Sequence, residues 1–116
     1  MLIYKIFRQS EWAQLRAQGK TPGAPIDLAD GYVHFSTASQ AEETAAKHFA
    51  CESGLMLLAV ETDRLGGDLK WEISRGAQLF PHLYRKLHLE DVVWAQPLPF
   101  VDGAHAFPAG FGEASA

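Results

Sequence analysis

The chain has a single cysteine and two methionines, and no strictly apolar run longer than residues 55–60. Each shortage excludes something. Cys51 alone forms no internal disulfide and lacks the spaced partners of a zinc cluster, so it reads as a small buried or half-buried side chain. Residues 55–60 fall far short of a membrane span, and no charged start leads into a long apolar segment. No membrane partner is expected, and a cytoplasmic location is. Positive charge is also in short supply: 10 Lys and Arg stand against 14 Asp and Glu, for a formal net charge of −4. Phosphate backbones call for a basic stripe, and the nearest approach to one is Arg75, Arg85 and Lys86, so DNA is not expected as a partner.

What is present suits one ordinary core. The 116 residues are 47% hydrophobic and 21% charged, enough for one domain and too few for two. Residues 2–7 are apolar except for Lys5 and favour a strand. Ser10 fits an N-cap, Trp12 and Leu15 have helical spacing, and Gly19 would end that helix. Residues 21–30, with two prolines and Gly23, read as a loop pinned by Ile26 and Leu28. Thr37 with Gln40, or Ser39 with Glu42, has capping-box spacing before a helix whose Ala38, Ala41, Ala45 and Phe49 share a face. Residues 55–61 read as a central strand buried on both faces, and residues 69–74 as an alternating one.

Further on, residues 75–84 are loop-like around Pro81. One helical turn at 87–91 leads to a strand through Val92, Val93, Trp94 and Ala95, limited by Pro97 and Pro99. The tail 103–116 is rich in Gly and Ala, with Phe107 and Phe111 as partial anchors beside a domain of residues 1–102. Two main helices are too few to cover both faces of a large parallel sheet. The expected fold is therefore a compact α+β domain with a mixed or split sheet.

The segment Asp30-Gly31-Tyr32-Val33-His34-Phe35-Ser36-Thr37 carries the most information. Strand alternation puts Tyr32, His34 and Ser36 on one face and Val33 and Phe35 on the other, core-facing one. An imidazole and a hydroxyl then lie beside a helix N-terminus, where free amides favour anionic groups. In residues 69–74, Leu69, Trp71 and Ile73 face one way and Lys70, Glu72 and Ser74 the other. If the two polar faces border one cleft, His34, Ser36 and Glu72 converge with His82 and Tyr84. Imidazole and carboxylate both hydrogen-bond ribose hydroxyls, and a carboxylate can stabilise positive charge developing on a sugar carbon.

Plainer readings stand beside these. His34 can be a structural hydrogen-bonder, and Glu72 a solvated partner of Lys70. His82 and Tyr84 can simply close a loop, while His48, His88 and His105 have no motif around them and read as structural or solvent-facing. There is no His-Glu-x-x-His spacing, no Gly-x-Ser-x-Gly elbow around Ser36 and no phosphate loop at Gly66-Gly67. Metal chemistry and serine hydrolysis are not expected.

The start Ile3-Tyr4-Lys5-Ile6, the segment from Asp30 to Thr37, Leu69-Lys70-Trp71-Glu72 and Phe80-Pro81-His82-Leu83-Tyr84 together resemble a small bacterial family, domain of unknown function 952. The match runs in order through nearly the whole chain to about Pro99. That family in turn resembles a compact ADP-ribosyltransferase, whose split sheet holds NAD in a cleft. The resemblance implies that His34 contacts the NAD ribose and Glu72 orients the reacting sugar. Ser36 or Thr37 would lie near the nicotinamide, and His82 or Tyr84 would stand for the central aromatic. In place of a His-Gly-Thr run, Phe35 and Ser36 follow His34.

The expected function is an enzyme acting on NAD or another ribonucleotide as substrate, by ribosyl transfer or glycosidic cleavage. Its acceptor would be water, a protein, RNA or a small molecule. The alternative is a non-catalytic nucleotide-binding or protein-interaction module.

Overall fold

The six residues Leu2–Phe7 form β1, all buried, and the two apolar clusters of the molecule are organised around this strand. Alternation sends Ile3 and Phe7 to one cluster and Leu2, Tyr4 and Ile6 to the other, so β1 is buried on both faces. Its partner is β4, Leu55–Glu61, which divides in the same way, with Leu58 and Val60 in the first cluster and Leu55, Leu57 and Ala59 in the second. That is why residues 55–60 read as one continuous apolar run. β8, Val92–Leu98, pairs with the other side of β4 and tolerates Pro97 because it is an edge strand. The computed structural model describes residues 1–109 and 111.

Helix α1, Gln9–Gln18, follows β1, and α3, Ala38–His48, follows β3, Val33–His34. The two starts use one device: the Glu11 carboxylate accepts the Arg8 backbone N–H at 2.8 Å, and the Gln40 carboxamide accepts that of Thr37 at 3.0 Å. The cap of α1 is therefore Arg8, not Ser10, and Thr37 is the cap of α3. Ala41 and Ala45, each 1% exposed, let α3 lie close over the sheet.

A second sheet runs β3–β6–β5, with β5 at Leu69–Ile73 and β6 at Leu79–Leu83. Two small two-stranded pairs complete the described fold. One joins β2, Lys20–Thr21, to β7, Leu87–His88; the other joins β9, Phe100–Val101, to β10, Ala104–His105. The last pair straddles residues 102 and 103, and Phe107 and Phe111 beyond it pack on the second cluster. Among the described residues every strand pair is antiparallel, so no sheet is mixed, and the strands divide into two three-stranded sheets and two small pairs. The two halves meet at one bridge, where Tyr4 and Ser36 exchange backbone hydrogen bonds of 2.8 and 2.9 Å.

Three expectations need correction. Residues 25–30 are a helix, α2 (Pro25–Asp30), not a loop: Pro25 presets the first turn, Asp27 Oδ2 accepts the Ala24 N–H at 2.7 Å, and Gly31 closes it at φ 84°. Residues 79–83 are strand β6 despite Pro81. Its carbonyl still accepts the Phe35 N–H at 3.0 Å, and its missing N–H falls where β3 leaves the ladder to reach β1. Cys51 is exposed, with φ 60° just beyond α3. No described helix is long and apolar enough to cross a membrane.

Candidate functional site

The gap between the sheet halves is a cleft of about 330 Å³. β1 supplies Tyr4, Lys5 and Ile6 to it, and the end of β3 supplies His34, Phe35 and Ser36. α3 adds Ala41, Thr44 and His48, while Ser74 and Arg75 follow β5 and Phe80 and His82 lie on β6. The antiparallel register sets His34 opposite His82 and His82 opposite Lys70, so these share one sheet face. Glu72, two residues along β5, is on that face too. His34 and Glu72 thus share a sheet face and are joined through His82, but of the three only the imidazoles line the cleft.

His34 rests on a buried carboxylate. Its Nδ1 is 2.6 Å from Asp27 Oδ1 and its backbone N–H donates to the same atom at 3.0 Å. Lys5 Nζ reaches Asp27 Oδ2 at 2.7 Å, with the two side chains 7% and 0% exposed. Burial pushes the Asp27 carboxyl up, and the His34 hydrogen bond with the Lys5 charge more than offsets this, holding it below the usual carboxylate range. The outer nitrogen of His34, Nε2, is 2.9 Å from Asp30 Oδ2 at the cleft mouth. Only the doubly protonated ring donates to both acids.

His82 is the second imidazole, 2% exposed, its ring centroid 5.4 Å from that of His34. Its Nδ1 donates to Glu72 Oε1 at 2.8 Å, and the Tyr84 hydroxyl donates to the same oxygen at 2.6 Å. These two bonds, Tyr84 first, hold the Glu72 carboxyl below its ordinary range, and in return the Tyr84 phenol is pushed up to about 12. Tyr32 lies over both parts of this network, with centroids 4.5 Å from His34, 4.2 Å from His82 and 5.2 Å from Tyr84. Glu72 thus meets His82 and Tyr84 rather than Lys70.

The other sequence-predicted residues divide. Ser36 lines the cleft and its Oγ is 2.8 Å from Thr44 Oγ1. Thr37 caps α3, with Oγ1 3.2 Å from Ser39 Oγ, and does not line the cleft. Glu72 and Tyr84 stand one layer behind it, His82 between them and the cavity.

Four cleft or support residues escaped the sequence reading. Asp27 was hidden in a segment read as loop, although the Ala24-x-x-Asp27 spacing and Pro25 signal a helix start. Lys5 is the one charge in an apolar strand, a cue for a buried partner. His48, read as structural, lines the cleft. Burial and then the cations around it, Arg75 first, press it toward its neutral form. Arg75, read as part of a basic patch, lines the cleft over the Phe80 ring at 4.9 Å and donates to Thr44 Oγ1 at 3.0 Å. Its Nε is 3.0 Å from Glu43 Oε1 but is not aligned for a hydrogen bond. Arg85 is elsewhere, paired with Asp91 at 2.9 Å.

Three solved structures resemble this chain, all of protein CC0527 from Caulobacter crescentus. The X-ray structure is 50% identical with a TM-score of 0.87, covering 91% of this chain and 94% of that one. A double mutant, also by X-ray, is 48% identical with a TM-score of 0.87 and the same shares covered. The solution NMR structure is 49% identical with a TM-score of 0.80, covering 90% of each chain. No curated protein matches the chain. Residues 6–95, which carry the end of β1 through most of β8 and every cleft residue but Tyr4 and Lys5, match one family. By that match and the half-identical crystal structure, the chain belongs to the family described as protein of unknown function (DUF952).

Proposed function

We propose that this protein is an enzyme that binds an anionic ribonucleotide, foremost NAD, in the split-sheet cleft and breaks or transfers the bond at its ribose anomeric carbon. One observation carries the reading. Lys5, Arg8, His34, His48, Arg75 and His82 all line the cleft, and no carboxylate does so among the described residues. In a chain of net charge −4, that concentration of basic groups favours a phosphate-bearing ligand. Phe35, Phe49 and Phe80 add apolar wall suited to a planar base. The cations are held in place from outside: Arg8 by Glu52 at 2.8 Å and Arg75 by Glu43.

The chemistry is the one that a resemblance to a compact ADP-ribosyltransferase implies, and it is supported by His34 and Glu72 standing on one sheet face, joined through His82. Rate enhancement would come from positioning the ribose against the basic groups of the cleft, with Glu72 acting from behind His82. Water, a protein, RNA or a small molecule would be the acceptor. The test is incubation with NAD followed by product analysis. Released nicotinamide, strongly reduced in Glu72→Gln with folding intact, is the expected result; no release by the wild type defeats the enzyme reading.

A second reading has its own observation. Both ring nitrogens of His34 are occupied by Asp27 and Asp30, which suits a non-catalytic nucleotide-binding module. It predicts NAD-dependent shifts at cleft amides without any product.

A further inference from the structure

The two imidazoles of the cleft differ in what they have left to offer. His34 has a carboxylate oxygen at each nitrogen, 2.6 Å at Nδ1 and 2.9 Å at Nε2. His82 has one, at Nδ1. An ionised carboxylate only accepts hydrogen bonds, so His82 Nδ1 carries the proton and the lone pair of the neutral ring sits at Nε2. Among the described residues Nε2 has no hydrogen-bond partner, and the ring forms part of the cavity wall.

The ring is also fixed in direction. Tyr32 packs on it at 4.2 Å between centroids and the His34 ring meets it edge-on at 5.4 Å. Behind it, the Tyr84 hydroxyl holds Glu72 Oε1 at 2.6 Å, so the carboxylate that orients the imidazole is itself oriented. Glu72 does not line the cavity. A carboxylate one layer back with an imidazole in front is the arrangement that sets a tautomer and stabilises the imidazolium once a proton arrives.

We propose that His82 is the general base of this site and that Glu72, braced by Tyr84, is its positioning residue. This rests on the ribosyl reading above. As the C1′–N bond of NAD breaks, its electron pair leaves with the pyridinium nitrogen and neutral nicotinamide departs. The acceptor oxygen bonds to C1′, its proton passes to His82 Nε2, and the imidazolium later yields that proton to solvent. No oxidant or further co-reactant is needed. Glu72 then acts on the sugar only through His82, and the reaction becomes selective for acceptors whose hydroxyl reaches Nε2.

The experiment compares nicotinamide release from NAD by wild type, His82→Gln, Glu72→Gln and Tyr84→Phe. Alongside it, 15N NMR of the wild-type imidazoles reads the tautomer. The expected results are an Nδ1–H tautomer at His82 and a fall in kcat of about 10²- to 10⁴-fold in His82→Gln with KM unchanged. Glu72→Gln and Tyr84→Phe should show smaller falls, again in kcat and not in KM. An Nε2–H tautomer in the wild type overturns the proposal even if His82→Gln fails to fold. Folded His82→Gln that keeps the wild-type kcat overturns the base while leaving the ribosyl reading intact. Absence of nicotinamide release by the wild type overturns both.

Discussion

At the scale of single residues, the site depends on Asp27. Its carboxylate accepts from Lys5, from the Ala24 and His34 backbone amides and from the His34 ring. Removing one partner of a buried ion pair strands the other charge, so Asp27→Asn should cost about 3–5 kcal/mol in denaturant unfolding. Because its folded pKa lies below the ordinary 3.8, its contribution is present above that value and lost as pH falls through the folded one. Acid unfolding should accordingly set in below about pH 4 in the wild type and be blunted in Asp27→Asn.

Tyr84 tests the other network, with the opposite sign. Its phenol is raised from 10.0 to about 12 by Glu72, so the bond is intact below 10 and lost as pH rises toward 12. Ultraviolet titration of phenolate should show a step near 12 that is absent in Tyr84→Phe and moves toward 10 in Glu72→Gln. Persistence of the step in Tyr84→Phe would remove the Tyr84–Glu72 bond from the account.

At the scale of elements, α2 is the small part that sets the large one. Gly23 enters it at φ 108°, and a Cβ there would meet Asp27 Oδ2 at 2.3 Å and Asp27 Cβ at 2.6 Å. Gly23→Ala therefore combines a disfavoured backbone with displacement of the side chain that holds His34. It should lower thermal stability and, by its effect on the Asp27 carboxylate, shift the His34 resonances; unchanged His34 shifts would show that α2 and β3 are independent.

The same elements show what could be read from the chain. β1, β4, β5 and the alternation around β3 were legible because their patterns have the period of their structure: Val33 and Phe35 are 1% and 2% exposed, as alternation requires, while the α3 start was narrowed to two caps of which the structure takes Thr37. α2 and β6 were not legible: α2 is short, with its local signals, Pro25 and the Asp27 bond to Ala24, lying in a Pro- and Gly-rich segment, and β6 carries Pro81 and is completed by the tertiary bond from Phe35. In β5 the faces were legible but not their depth. Leu69 reaches the core, whereas Ile73 is 72% exposed because the β5–β6 pair extends past it. Among site residues, His34, Ser36 and Glu72 announced themselves by strand position, whereas His82 stood in a segment read as loop. Arg75 and His48 did not, because nothing local marks a side chain whose place on the cleft wall arises only when α3 folds over the split.

At the scale of the whole molecule, the division of charge is the central claim. An acidic chain gathers basic groups around a gap in its sheet and keeps its carboxylates behind or outside them. Among the described residues, the chain just past β3 joins the other sheet half by backbone pairing at the single bridge Tyr4–Ser36, and the gap opens beside it. The most direct test is a titration of 15N-labelled wild-type protein with NAD, read out as amide shifts at low salt. The account predicts saturable changes centred on His34, His48, Arg75, Phe80 and His82, weakening as salt screens the cleft. Shifts confined to surfaces away from these residues, or none at any NAD concentration, would contradict it.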